Sequence, residues 1–186
     1  VLKQYLSEMM RPMLLEMGFD VGLHENPVAQ APPLLLASRV ENSDLPTILI
    51  YGHGDVTHGQ DNQWDAGLSP FAAKAIDGLI YGRGTADNKG QHLINLMALK
   101  TLIELRGSLG FNVKVLIEMA EETGSPGLAE FCAAQRDALA ADVLIASDGP
   151  RLMPEVPTMF MGSRGAVNFD LEVRLRNRAH HSGNWG

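Results

Sequence analysis

The run ILIYGHGDVTHGQ (48–60) carries an apolar stretch into His53, with the carboxylate of Asp55 two residues later. Glu121 and Glu122 follow VKVLIEMA in the same way, Asp148 follows DVLIAS, and Asp87 in GRGTADNKG lies where a loop enters a long helical pattern. Three strand-like runs therefore finish on residues able to bind a metal. In open α/β sheets that carboxyl edge is where ligands sit, and one histidine with several carboxylates is the donor mixture of a hydrolytic zinc site. Adjacent residues leaving a strand point in different directions. One of Glu121 and Glu122 can thus hold metal while the other faces water, and a metal-activated water with a carboxylate base is a standard route to amide hydrolysis. Asp55 could hold the His53 imidazole through its other ring nitrogen.

Each residue also has a duller reading. Asp87 could cap the helix that follows it, and Glu121 and Glu122 could be solvated loop charges. Asp148 precedes Gly149-Pro150, a common turn sequence, and Asp55 could be a turn residue too. His58 reads as a surface residue, and His24 and His92, without companions, as structural. Met9, Met10, Met13 and Met17 read as packing. The concentration of His53, Asp87, Glu121, Glu122 and Asp148 on one predicted edge favours a site over five separate accidents.

The elements that must position these groups alternate. Leu2, Leu6, Met9, Met13 and Met17 form a helical stripe interrupted at Pro12 and closed by Gly18. Strand-like runs follow at 34–38, 47–51 and 79–84, then a helix over 88–107. A strand over 112–120, a helix over 125–139 with Ser125 as N-cap, and a strand over 142–147 complete the pattern. The near-continuous apolar strands imply an α/β domain with a mostly parallel central sheet covered by helices on both faces. After Pro157 the pattern changes: VNFDLEVRL alternates as a half-buried antiparallel strand would. We read residues 1–157 as the catalytic domain and 158–186 as the start of a second one.

Composition narrows the options. The 186 residues are 45% hydrophobic and 20% charged, with a formal net charge of -7, which argues against nucleic-acid binding. Cys132 is the only cysteine, so neither an intrachain disulfide nor a thiolate zinc cluster can form. It sits at helical spacing among apolar residues and reads as core packing. No apolar run reaches the roughly 20 residues of a membrane span, and no signal peptide is read. The chain begins with Val, so a cytoplasmic location is only the default expectation.

In order along the chain, YGHGDV, GRGTADNKG, EMAEETGSPG, ASDGP, GSRG and HHSGNWG resemble the di-zinc metallopeptidases that include carnosinase, aminoacylase and glutamate carboxypeptidases. The resemblance implies a zinc-exopeptidase-like catalytic domain followed by an α+β lid. It implies two zinc ions, replaceable by Mn²⁺ or Co²⁺. His53 and Asp148 would bind one ion and Glu122 the other, with Asp87 bridging and Glu121 as general base. Asp55 resembles the partner of the first histidine. His181 resembles a lid histidine that reaches a neighbouring subunit's site and stabilises the oxyanion, which makes a homodimer the expected assembly. The family pattern also implies a cis peptide between Asp87 and Asn88. Gly54 departs from it, standing where many members carry a bulky residue.

An aspartate at position 148 matches dipeptidase and aminopeptidase-like members, whereas carboxypeptidases and deacylases tend to have glutamate. The expected substrate is therefore a dipeptide or short peptide. An N-acyl-amino-acid amidohydrolase is the alternative enzyme, and a non-catalytic binding module the alternative outside catalysis. The second zinc of the family takes one more histidine, and none follows His181. The segment by itself is expected to be the inactive N-terminal portion of the enzyme.

Overall fold

A computed structural model describes residues 1–149 and, beyond them, 152, 153, 155–162, 165, 167, 169–173 and 183. The chain forms two compact units, 1–150 and 151–186.

The first unit is built on a five-stranded sheet. Its strands are β1 (Asp20–His24), β2 (Leu34–Arg39), β3 (Thr47–His53), β6 (Asn112–Glu118) and β7 (Val143–Ala146), in the order β1-β2-β6-β3-β7. A separate hairpin pairs β4 (Lys74–Ile76) with β5 (Leu79–Tyr81). The pairs β1/β2 and β2/β6 are antiparallel, while β6, β3 and β7 run parallel. The parallel half is the half that matters for function. His53 pairs with Glu118 at the ends of β3 and β6, so the chain leaves both strands at the same sheet edge.

Helices cover both faces. On one face Leu96 and Leu99 of α3 (Lys89–Arg106) join Leu6, Met10 and Leu14 of the N-terminal helix over Ile50, Val113, Val115 and Ile117. On the other, Leu128, Phe131 and Cys132 of α4 (Leu128–Ala134) and Leu139 of α5 (Arg136–Leu139) cover Leu34, Leu49 and Leu116. The chain leaves β3 toward α3 on one face and β6 toward α4 on the other. Connections that diverge from neighbouring parallel strands open a crevice at their carboxyl ends.

Several expectations change in detail. The N-terminal helix runs as α1 (Leu2–Gln4), a π-helical stretch (Tyr5–Met10) and α2 (Arg11–Glu16). The wider π turns lie just where Pro12 lacks an N–H and its ring crowds the preceding turn. The buried stripe is Leu6, Met10, Leu14 and Met17, while Met9 and Leu2 are exposed. Gly18 closes the helix as expected: its N–H donates to Leu15 O and that of Phe19 to Leu14 O. Ser125 is not a helix cap. Gly127 takes that position, and the Ser125 hydroxyl donates instead to Glu118 Oε1 at 2.8 Å.

No strand includes the described residues of the alternating segment at 167 and 169–173, and Val167, Phe169, Leu171 and Val173 are exposed. An alternating sequence becomes a strand only when a neighbour takes its backbone bonds and covers its apolar side. No such strand is found among the described residues.

One contact fixes α3 against the sheet edge. A Cβ at Gly52 would lie 2.7–2.9 Å from Cβ, Cγ and Nδ1 of His92, so β3 and α3 approach more closely there than any side chain permits. Gly52→Ala should destabilise the protein by about 1–3 kcal/mol, measured by urea denaturation. Unchanged stability would show that α3 can shift away freely.

Candidate metal centre

His53 ends β3 and is fully buried. Its Nδ1 lies 3.3 Å from Oδ1 of Asp55 and 3.3 Å from the Asp55 carbonyl oxygen. Its Nε2 faces three carboxylates: Asp87 Oδ1 at 3.0 Å, Asp148 Oδ2 at 3.6 Å and Glu121 Oε2 at 3.7 Å. His53, Asp87 and Asp148 can each present one ligand atom such that all lie within 4.8 Å of one another. Glu122 and Asp87 line one cavity of about 120 Å³ with Thr57, Gly82, Arg83, Gly84 and Ala86. Asp87 thus borders both the His53 cluster and the Glu122 cavity.

The positions follow from the fold. Glu121 and Glu122 open a 3-10 turn (Glu121–Thr123) just past β6. Their main-chain N–H groups donate to Oδ1 and Oδ2 of Asp55 at 3.2 and 3.0 Å. Asp148 lies two residues past β7, beside β3 in the parallel sheet. Asp87 does not cap α3. Asn88 occupies that position without a side-chain capping bond, which leaves the Asp87 carboxylate turned to His53. The Asp87–Asn88 peptide is cis, as the family pattern implied.

Electrostatics separate the roles open to these groups. Burial by itself would push the His53 imidazole down. The hydrogen bond that its Nδ1–H donates to Asp55 and the charges of Asp148, Asp55 and Glu121 outweigh it and lift its pKa to about 9. Burial raises the Asp55 carboxyl, but the His53 bond and the Glu122 amide prevail and leave it below its usual range. Glu121 moves the other way. Burial first, then the nearby charges of Asp148, Glu122 and Asp55, hold its carboxyl above the usual range against the pull of His53.

These residues fit a divalent cation. Three carboxylate oxygens stand within 3.7 Å of one imidazole nitrogen, and a single N–H can satisfy only one of them.

Sequence reasoning passed over the residues that tie the strand ends together. Asn88 is fully buried. Its Oδ1 accepts from the His53 main-chain N–H at 3.2 Å, and its Nδ2 donates to Ser147 O at 2.6 Å. His92 is not companionless: its Nδ1 lies 3.0 Å from Asn88 Oδ1 and its Nε2 2.6 Å from the Tyr5 hydroxyl. Burial, with the charges of His53 and Lys89, drops the His92 pKa to about 4, so the ring is neutral. Glu118 is buried and accepts from the hydroxyls of Tyr51 and Ser125 at 2.6 and 2.8 Å. The signal for His92 was its place on one helical stripe with Leu96 and Leu99. His58 is exposed, as expected. His24 stacks edge-on against Phe131 in a packing role. The expectation for His181 lies outside the described residues.

Comparison with known proteins places the chain in a family. Residues 49–176 match Peptidase family M20/M25/M40, and the chain belongs to that family. Beta-Ala-His dipeptidase of Mus musculus is 35% identical over 175 residues, 91% of this chain and 35% of that protein. Cysteinylglycine-S-conjugate dipeptidase of Corynebacterium striatum is 33% identical over 175 residues, 93% of this chain and 37% of that protein. Human carnosine dipeptidase 1 superposes with a TM-score of 0.71 at 30% identity, over 79% of this chain and 33% of that one. The α/β sheet with its flanking helices is thus the fold of these M20 neighbours. The chain spans about a third of the length of the relatives it matches. No helix among the described residues is long and apolar enough to cross a membrane.

The shifted imidazole makes the metal-free protein pH-sensitive. The folded state favours protonated His53, so its stabilisation is complete below pH 6.5 and is lost as pH rises through about 9. Urea denaturation of metal-stripped protein should show stability falling by on the order of 1–3 kcal/mol across that window. His53→Gln should flatten the slope. An equally steep slope in the variant would assign the effect to another group.

Proposed function

We propose that the full-length protein hydrolyses the amide bond of a dipeptide or short peptide in a metal-dependent reaction, with Glu121 as general base. The observation that carries this reading is the convergence of His53, Asp87 and Asp148, with Glu121 beside them, at one sheet edge. The dipeptidases among its relatives and the aspartate at position 148 support a dipeptide over an acylated amino acid.

In this reading His53 and Asp148 would hold one zinc ion and Glu122 a second, with Asp87 contributing to both. When bound, zinc supplies electrophilic assistance to a scissile carbonyl and acidifies water. The protein's own groups do the rest. Asp55 keeps the proton on His53 Nδ1, which leaves Nε2 as the donor atom for metal. Glu121, partly exposed and with a raised pKa, is placed to take a proton from the attacking water. It then returns that proton to the leaving amine nitrogen, so the carboxylate is regenerated in each cycle. His181 is assigned to the developing oxyanion in a neighbouring subunit, with residues after 157 forming the lid and the homodimer contact. Those assignments rest on the sequence resemblance alone.

Glu121→Gln in the full-length protein tests the base directly, because the amide cannot accept the proton. Bound zinc should be retained while turnover falls roughly 10²–10⁴-fold. Near-normal turnover would return Glu121 to the status of a loop charge. The wild-type enzyme should prefer dipeptides over N-acyl amino acids in a side-by-side panel, and the opposite preference would assign a deacylase.

A further inference from the structure

We infer that Tyr5 and His92 are positioning residues for the metal centre, acting through Asn88 on the main chain of His53. The inference rests on the metal reading above and adds to it a part of the machinery that begins in the N-terminal helix.

The hydrogen bonds have one consistent direction. Asn88 Nδ2 donates to Ser147 O, so Oδ1 is the end that meets His53 and His92. An acceptor there requires the His92 proton on Nδ1. A neutral ring then leaves Nε2 as an acceptor, and the Tyr5 hydroxyl donates into it at 2.6 Å. Asn88 and His92 are respectively 0% and 1% exposed, so water cannot replace a lost partner at either residue.

This chain of bonds reaches three pieces of the metal centre. Asn88 is covalently next to Asp87. Its side chain holds the N–H of His53 at the end of β3 and the carbonyl of Ser147, the residue before Asp148. The orientation of one amide therefore links His53, Asp87 and Asp148.

The glycines beside His53 make room for the arrangement. A Cβ at Gly52 would lie 2.7–2.9 Å from His92 atoms, and one at Gly54 would lie 2.6 Å from the Tyr5 ring and from Met119 Sδ. Each glycine leaves the space that one member of the chain of bonds occupies. Lys89 adds a further contact: its Nζ donates to Gly54 O at 2.9 Å and sits 5.7 Å from the centre of the Tyr5 ring.

The test uses full-length wild type, Tyr5→Phe, His92→Leu, His92→Asn and the double variant Y5F/H92L. Zinc dissociation constants come from chelator competition, and ligand geometry from the absorption spectrum of the cobalt(II) form. His92→Leu, which removes both bonds, should weaken zinc binding about tenfold, the lower end for an outer-shell partner. Tyr5→Phe should weaken it by about threefold, a part of that loss. His92→Asn keeps a donor toward Asn88 and should recover most of what His92→Leu loses. Y5F/H92L should match His92→Leu, because Tyr5 acts through His92. Zinc affinities and cobalt spectra equal to wild type in Tyr5→Phe and His92→Leu would overturn the inference, even if both variants unfold at lower temperature. Should His92→Leu fail to fold, Tyr5→Phe decides alone, since it removes a single oxygen atom. Folded wild type that takes up no zinc would overturn the metal reading itself and this inference with it.

Discussion

The carboxylate of Asp55 is buried, and a buried carboxylate needs donors at both oxygens. Its donors are His53 Nδ1 and the main-chain amides of Glu121 and Glu122. Two separate connections, the one after β3 and the one after β6, are therefore pinned to each other by a single side chain. The same contact selects the histidine tautomer. With a proton on Nδ1 held by Asp55, the lone pair of the neutral ring lies on Nε2, among Asp87, Asp148 and Glu121. Were Asp55 absent, the ring could turn or change tautomer, and the two glutamates would lose the anchor that sets where their side chains begin.

Such a cluster of carboxylates is tolerated because the structure beneath it is stiff. β3 is paired on both sides, and apolar layers lie on both faces of the sheet. Repulsion among Asp87, Glu121 and Asp148 therefore cannot relax by spreading the strand ends. Proton affinities shift upward at the same edge: for His53 the bond to Asp55 and the charges of Asp148 and Glu121 overcome burial, and for Glu121 burial leads, followed by the charges of Asp148, Glu122 and Asp55. The two shifts bear differently on the function proposed above: a metal ion at His53 would have to displace a proton, and a raised proton affinity would suit Glu121 to the part of a base.

The sequence made legible whatever depends on period and strand ends. Apolar runs located β2, β3, β6 and β7, and the residues just after three of them proved to share one edge. Parallel strands end at the same edge, so position along the chain translated into position in space. Other features depend on partners distant in sequence. β1 carries no strong apolar run, since its burial comes from pairing with β2. Ser125 precedes an apolar helix as a cap would, yet a buried Glu118 draws its hydroxyl away. The helical stripe of residues 2–16 was displaced by one position because a π-helical stretch before Pro12 changes the angular spacing. Asn88 and His92 stayed hidden for the same reason: their partners lie 35 and 87 residues away in the chain, and composition contains nothing of that.

The close approach at Gly54 also bears on how this sequence can change over time. Space beside His53 is filled from outside the motif, by a tyrosine 49 positions upstream, so positions 5 and 54 are not free to vary separately. A side chain gained at 54 collides with the ring, whereas a small residue gained at 5 leaves a void and an unanswered imidazole nitrogen. A side chain at 54 needs both the Tyr5 ring and the Met119 sulfur to give way, so a change at position 5 alone clears only part of the space, and the residues compatible with one another at 5, 54 and 119 are set jointly.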